Sequence, residues 1–156
     1  NIRSIAADDN GEIARIIRAC LKEFGADKPG TVYYEDSTDH LFEVFSEKAS
    51  AYFIAEQNGI MLGGGGIFPS PGLPNGTCEM VKMYLLPESR GKGIGIALIN
   101  KCFDTAKQNG FNTVYIESML VLDRAIALYE SYGFKRLSAP LGNTGHYSEV
   151  WMTKSI

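Results

Sequence analysis

Residues 90–95 read Arg90-Gly91-Lys92-Gly93-Ile94-Gly95 and stand between a predicted strand, residues 77–86, and a predicted amphipathic helix. The first amide N–H groups of a helix have no partner inside it, and the helix dipole adds positive potential there. Glycines remove the side chains that would keep a phosphate from these amides, and Arg90 and Lys92 add positive charge. The stretch therefore predicts a loop that binds phosphate groups at the start of a helix.

Hydrophobic periodicity on both sides of this loop predicts a single α/β domain covering residues 1–156. Asn58-Gly59 is typical of a hairpin turn between two strands, residues 51–56 and 60–68. The predicted order of elements is β-α-α-β-β-β-α-β-α-β-β, which means a mixed sheet with helices packed on it. Four consecutive glycines, residues 63–66, predict a bulge or a close approach to the backbone of that strand.

Composition restricts the kinds of partner that the chain can have. Hydrophobic residues make up 45% and charged residues 21%, as in folded soluble domains. The net charge of -3, with no basic stripe, argues against a nucleic-acid partner. No apolar run approaches the ~20 residues that span a bilayer, so no membrane partner is expected. Cys20, Cys78 and Cys102 lack metal-binding spacing; we expect core cysteines, no metal, and a cytoplasmic location.

Spacing decides which phosphate-bearing ligand the glycine loop fits. The P-loop pattern requires a terminal Gly-Lys-Ser/Thr that is absent here. The dinucleotide pattern GxGxxG requires glycine at Ile96 or Leu98, although Glu117 at the end of the next strand keeps a nicotinamide-nucleotide protein as an alternative. A third pattern matches in full: Arg or Gln, two residues, Gly, one residue, then Gly or Ala. In this pattern the sequence resembles the GCN5-related N-acetyltransferase (GNAT) superfamily.

The resemblance covers about residues 51–134. Residues 79–88 resemble the fourth strand of that family, and residues 125–134 resemble its segment containing a Leu-Tyr pair. It implies a GNAT-like fold, with a central, mostly antiparallel sheet splayed between strands 4 and 5 and helices on both faces. It also implies acetyl-CoA as co-substrate. The pantetheine arm would pair with Met83, Tyr84 and Leu85, and the pyrophosphate would lie on the loop, Arg90, Gly91, Lys92, Gly93, Ile94, Gly95 and Ile96.

The reaction implied by the resemblance is attack of a neutral amine on the thioester within a ternary complex. Tyr129 matches the family's Leu-Tyr tyrosine and would protonate the departing thiolate, because a phenol is protonated at neutral pH. Glu79 on the fourth strand is the leading general base, and Glu117 is its rival. The family often carries Asn seven residues before the tyrosine, where this chain has Leu122.

The acceptor is the least constrained part of the interpretation. Tyr33, Tyr34 and His146 lie in segments that vary within this fold and are candidates for acceptor binding. They suit a small amine or an amino acid. A protein N-terminus or lysine as acceptor, and a non-catalytic acyl-CoA sensor, remain alternatives. The resemblance is also compatible with a homodimer.

Overall fold

The computed structural model describes residues 1–156 and contains one seven-stranded sheet with helices on both faces. Its strands are β1 (Ile2–Ser4), β2 (Ala51–Gln57), β3 (Ile60–Phe68), β4 (Thr77–Leu85), β5 (Thr113–Ser118), β6 (Lys135–Arg136) and β7 (Val150–Ser155). Its helices are α1 (Asn10–Glu23), α2 (Leu41–Val44), α3 (Ile94–Gln108) and α4 (Asp123–Ser131). The strand order is β1-β2-β3-β4-β5-β7-β6, and the β4–β5 pair is parallel while all others are antiparallel. The predicted element order and mixed sheet are confirmed.

Two hydrophobic clusters cover the two faces of the sheet. Helices α1 and α2 pack on one face and helices α3 and α4 on the other. Side chains alternate accordingly along β2, where Tyr52 and Ile54 join the first cluster and Phe53 and Ala55 the second. All three cysteines are buried and free, as expected of core residues. None of the helices combines the length and apolar character that a membrane crossing requires.

The four glycines of β3 allow its neighbours to approach its backbone closely. A Cβ at Gly64 would lie 2.5 Å from the carbonyl oxygen of Phe53 and 2.7 Å from the Tyr52 ring. A Cβ at Gly63 or at Gly66 would overlap a backbone carbonyl of β4 or of β2, respectively. The close approach predicted from residues 63–66 is therefore confirmed.

Replacement of Gly64 by alanine is expected to destabilise the fold by about 1–3 kcal/mol, because backbone and ring atoms would have to move to admit the methyl group. The midpoint of urea unfolding measures this loss. Gly11→Ala is the matched control, since a Cβ at Gly11 in α1 meets no atom within 4 Å. It is expected to be neutral or slightly stabilising. Equal midpoints for the two variants would contradict the packing argument.

Candidate active site

A cleft opens where β4 and β5 separate. The two strands pair only over three positions, Thr77–Glu79 of β4 with Thr113–Tyr115 of β5, and then diverge. The space between them is a cavity of about 410 Å³ that extends from the glycine loop to the end of β5 and to α4. This is the splay predicted between strands 4 and 5.

An irregularity in β4 accompanies the separation. Gly64 and Gly66 of β3 pair with Tyr84 and Val81, so that Lys82 and Met83 together lie opposite the single residue Gly65. Lys82 has a left-handed backbone, with φ of 52°. This is a β-bulge, which bends a strand away from regular pairing.

The glycine loop presents unpartnered amides to one end of the cleft. The first backbone amide to bond within this turn is that of Ala97, which donates to the carbonyl of Gly93 at 3.1 Å; the six amides of residues 91–96 have no partner in the protein. Gly91 and Gly93 have left-handed φ values of 75° and 81°, and a Cβ at either would meet open space. The loop therefore fits a phosphate group, because its donors are free and no side chain covers them.

Arg90 has partners that the sequence did not predict. Its guanidinium makes two hydrogen bonds with the Glu23 carboxylate of α1, at 2.8 and 2.9 Å, and lies 5.1 Å from the centre of the Phe24 ring. Its Nε donates to the carbonyl of Leu85 at 3.1 Å. The Arg90 side chain thus ties the loop to α1, and its charge is already paired. Lys92 is exposed and does not line the cleft.

The remaining predicted residues divide between the cleft and its surroundings. Those lining the cleft, besides Arg90, are Glu79, Met83, Tyr84, Leu85, Gly91, Gly93, Gly95, Ile96, Glu117, Tyr129 and His146. Leu122, which stands at the family's asparagine position, lines it as well. Ile94, the first residue of α3, packs against the core. The rings of Tyr33 and Tyr34 pack against each other at an angle of 57°, with centres 5.0 Å apart, and lie outside the cleft.

Glu79 is the buried carboxylic acid of the cleft. It is 2% exposed, and the hydroxyl of Ser70 donates to its Oε1 at 2.6 Å. Burial raises the pKa of Glu79 to about 7, against the opposing effect of the Ser70 hydrogen bond. A carboxyl group that titrates near neutral pH suits proton transfer at the pH of the cell.

Glu117, the rival base, has its carboxylate already engaged. The hydroxyl of Tyr115 donates to Oε2 at 2.7 Å, and the hydroxyl of Thr144 donates to Oε1. Thr144 belongs to the loop between β6 and β7, and the Tyr115 hydroxyl also accepts the backbone amide of Leu141 from that loop. Glu117 therefore connects β5 to the loop, whereas Glu79 has a single hydrogen-bond donor.

Tyr129 places its phenol at the wall of the cleft. The residue is 6% exposed, and its ring packs edge-on against Phe134 at 5.8 Å. The hydroxyl bonds no protein atom. Ser89 Oγ is the one fully buried side-chain atom without a partner, so the Tyr129 hydroxyl keeps some exposure. Because Tyr129 lines the cleft, that exposure is toward the cleft. Burial raises the pKa of the Tyr129 phenol, which keeps the proton on its oxygen at neutral pH.

A charged cluster closes the other end of the cleft. His146 Nδ1 lies 2.8 Å from Glu35 Oε1, and this hydrogen bond raises the pKa of His146 and lowers that of Glu35. Lys82 Nζ lies 3.8 Å from the other Glu35 oxygen. Ser70 and Lys82 were both missed by the sequence analysis. Lys82 carried a signal, because it is the single charged residue in the apolar run of residues 80–86.

Comparisons with known proteins agree with this geometry. The model of the acetyltransferase (GNAT) family matches residues 5–134. The uncharacterized N-acetyltransferase YjgM of Escherichia coli (strain K12) is 40% identical over 158 residues, covering 99% of this chain and 94% of that protein. Human N-acetyltransferase 8 is 29% identical over 120 residues, which cover 72% of this chain and 53% of that protein. The chain thus spans about half the length of this human relative.

Solved structures share the fold at low sequence identity. A GNAT-family acetyltransferase from Staphylococcus aureus Mu50 has a TM-score of 0.88 at 18% identity, covering 99% of this chain and 98% of the other. The putative acetyltransferase yncA from Salmonella typhimurium, solved with its cofactor acetyl-CoA, has a TM-score of 0.77 at 18% identity, with 99% and 92% covered. The fold, the match over residues 5–134 and the 40% identical relative lead to one conclusion: the chain belongs to the acetyltransferase (GNAT) family and is an acetyltransferase.

Proposed function

We propose that residues 1–156 form one domain that transfers an acetyl group from acetyl-CoA to the primary amine of a small molecule or amino acid. A single observation carries this proposal: one continuous cleft has free loop amides at one end and a buried carboxyl group with a raised pKa at the other. The first feature suits the phosphates of the donor and the second suits an amine acceptor. Family membership supports acetyl-CoA as the donor.

The donor would lie along the edge of β4 that faces β5. The loop amides of residues 91–96 would hold the pyrophosphate, and the backbone of Met83 would hold the pantetheine arm. Tyr84 is a weaker candidate, because it pairs with Gly64 and its carbonyl points toward β3. The Leu85 carbonyl is also a weaker candidate, because it already accepts from Cys20 Sγ at 3.2 Å and from Arg90 Nε. A backbone amide of β4 would stabilise negative charge that develops on the thioester oxygen.

Proton transfers at the two ends of the reacting centre would complete the chemistry. Glu79 accepts a proton from the acceptor ammonium, and the freed lone pair attacks the thioester carbonyl carbon. As the C–N bond forms and the C–S bond breaks, Tyr129 donates its proton to the leaving sulfur. The second proton lost by the nitrogen returns the Tyr129 phenolate to its neutral form, and Glu79 releases its own proton to solvent. Holding both reactants in one cleft provides much of the acceleration.

Calorimetric titration with acetyl-CoA, and with NADH for comparison, tests the donor site. We expect acetyl-CoA to bind and NADH not to bind. Gly93→Val is expected to weaken acetyl-CoA binding by at least about 100-fold, because its side chain would occupy the space above amides that make charge-assisted hydrogen bonds.

A matched variant separates lost binding from backbone strain. Gly110 has φ of 88°, close to the 81° of Gly93, and likewise has open space around its Cβ direction, but it lies at the far end of α3. Gly110→Val should therefore show comparable strain and bind acetyl-CoA like the native protein. The donor site would be wrong if folded native protein failed to bind acetyl-CoA, or if Gly93→Val bound it normally.

A further inference from the structure

Lys82 is a buried lysine whose position depends on the bulge in β4. In a regular strand successive side chains point to opposite faces of the sheet. Met80 and Met83 pack on the face covered by α3, whereas Val81 and Tyr84 pack on the face covered by α1. Regular alternation would place Lys82 on the α3 face.

The structure instead turns Lys82 toward α1 and α2. Lys82 lines a side cavity of about 150 Å³ together with Val44, the last residue of α2, and Phe45, which follows it. Its left-handed backbone produces the change of face, and a left-handed conformation at a residue with a side chain is energetically unfavourable. Such conformations concentrate at functional sites, where the surrounding structure enforces them.

The ammonium group of Lys82 lacks adequate partners in the protein. Its side chain is 7% exposed, and the one carboxylate within 4 Å is Glu35, at 3.8 Å. That distance is too long for a hydrogen bond, and Glu35 is already bonded to His146. Three N–H donors are therefore left without a protein acceptor. Because Ser89 Oγ is the one fully buried unpartnered side-chain atom, the Lys82 ammonium keeps some exposure to the cleft, where an anion can pair with it.

The cleft is lined by both basic and acidic side chains. Lys82 and His146 line both the cleft and the side cavity, so they stand where the two spaces meet. Glu79 and Glu117 line the same part of the cleft with carboxyl groups. Lys82 and Glu79 are near enough that each charge affects the pKa of the other. A ligand with one cationic and one anionic group matches this arrangement.

We propose that the acceptor is an amino acid whose carboxylate binds Lys82 while its amine faces Glu79. This inference rests on the proposed acetyl transfer and deepens it by naming the acceptor class. Lys82 then has the role of a specificity residue: it pairs with an acceptor carboxylate and takes no part in the proton transfers. His146, held by Glu35, lies beside this carboxylate subsite.

The test compares acceptors that differ in one charge. A panel of α-amino acids is assayed beside the corresponding α-amino amides, with release of the free thiol from acetyl-CoA as the readout. The native protein is expected to acetylate at least one acid with a kcat/KM about 10-fold or more above that of its amide. In Lys82→Met this preference is expected to fall by about 10- to 100-fold, mainly through KM of the acid.

A control variant and the pattern of activities distinguish the outcomes. Lys107→Met removes an exposed lysine of α3 and should leave the preference unchanged. A native protein that uses amides as well as acids, or a Lys82→Met variant that loses both activities equally, would overturn the carboxylate subsite and leave acetyl transfer intact. Binding of acetyl-CoA without turnover of any acid or amide in the panel would overturn this inference alone. If primary amines that carry neither group were also not acetylated, the proposed function would be overturned as well.

Discussion

Replacement of Glu79 by glutamine is expected to lower kcat by about 100- to 10,000-fold, the range that a general base supplies. Glutamine keeps the shape of the side chain, and its amide oxygen can still accept from Ser70, so the packing around residue 79 should survive. The native rate should rise with pH through about 7, where Glu79 loses its proton, and then level off. In Glu79→Gln that ascending limb should disappear.

Thermal stability provides an independent readout of the same carboxyl group. The pKa of Glu79 is raised from 4.5 to about 7 by folding, so between these values the folded state binds more protons than the unfolded state. Stability contributed by the protonated group is therefore present below about pH 4.5 and is lost as pH rises toward 7. Glutamine does not ionise, so the variant does not lose this stability as pH rises. The Tm of Glu79→Gln minus the Tm of the native protein should therefore be larger at pH 8 than at pH 4.

Glu117→Gln is the matched comparison for the base. Its carboxylate accepts from Tyr115 and Thr144, so we expect this variant to loosen the loop between β6 and β7 and to retain the ascending pH limb. The assignment of Glu79 would be wrong if Glu79→Gln kept the native pH profile while Glu117→Gln lost it.

Replacement of Tyr129 by phenylalanine should depress kcat by a similar factor, about 100- to 10,000-fold, with little change in acetyl-CoA affinity. The substitution removes one hydroxyl that bonds no protein atom, so the packing against Phe134 should be preserved. Donation of a proton to the leaving sulfur depends on that hydroxyl, whereas binding of acetyl-CoA depends mainly on the glycine loop. Calorimetry measures the affinity and steady-state kinetics the turnover.

Tyr132→Phe is the control for this assignment. Tyr132 follows α4, is partly buried against the core, and does not line the cleft. Its variant should retain native turnover. Native turnover by Tyr129→Phe would remove Tyr129 as the acid and would require another proton source for the thiolate.

Features that depend on neighbouring residues were predictable from the sequence. The order of strands and helices follows from hydrophobic periodicity, and the loop of residues 90–95 follows from glycines at fixed spacing before a helix. The family pattern added the splay between strands 4 and 5, which β4 and β5 confirm by pairing over three positions. Glu79, Glu117, Tyr129 and His146 all line the one cleft.

Choices among distant partners required the tertiary structure. Arg90 pairs with Glu23, 67 residues away, although its position in the motif suggested a role toward phosphate. Glu117 is engaged by Thr144, 27 residues away, and this distinguishes it from Glu79. Tyr33 and Tyr34 pack against each other outside the cleft, although their residue types suit an acceptor site.

Lys82 shows the physical reason for this division. Local backbone geometry makes side chains alternate between the two faces of a sheet, and regular alternation would place Lys82 on the α3 face. The bulge opposite Gly65 reverses its direction, and Glu35 and His146, which lie 111 residues apart in the chain, then meet beside it. The sequence by itself determined the elements, their order and the glycine loop before α3, since these arise from short-range hydrogen bonding and periodic burial. Tertiary packing alone decided which charged groups line the cleft, because those contacts form only when remote segments fold together.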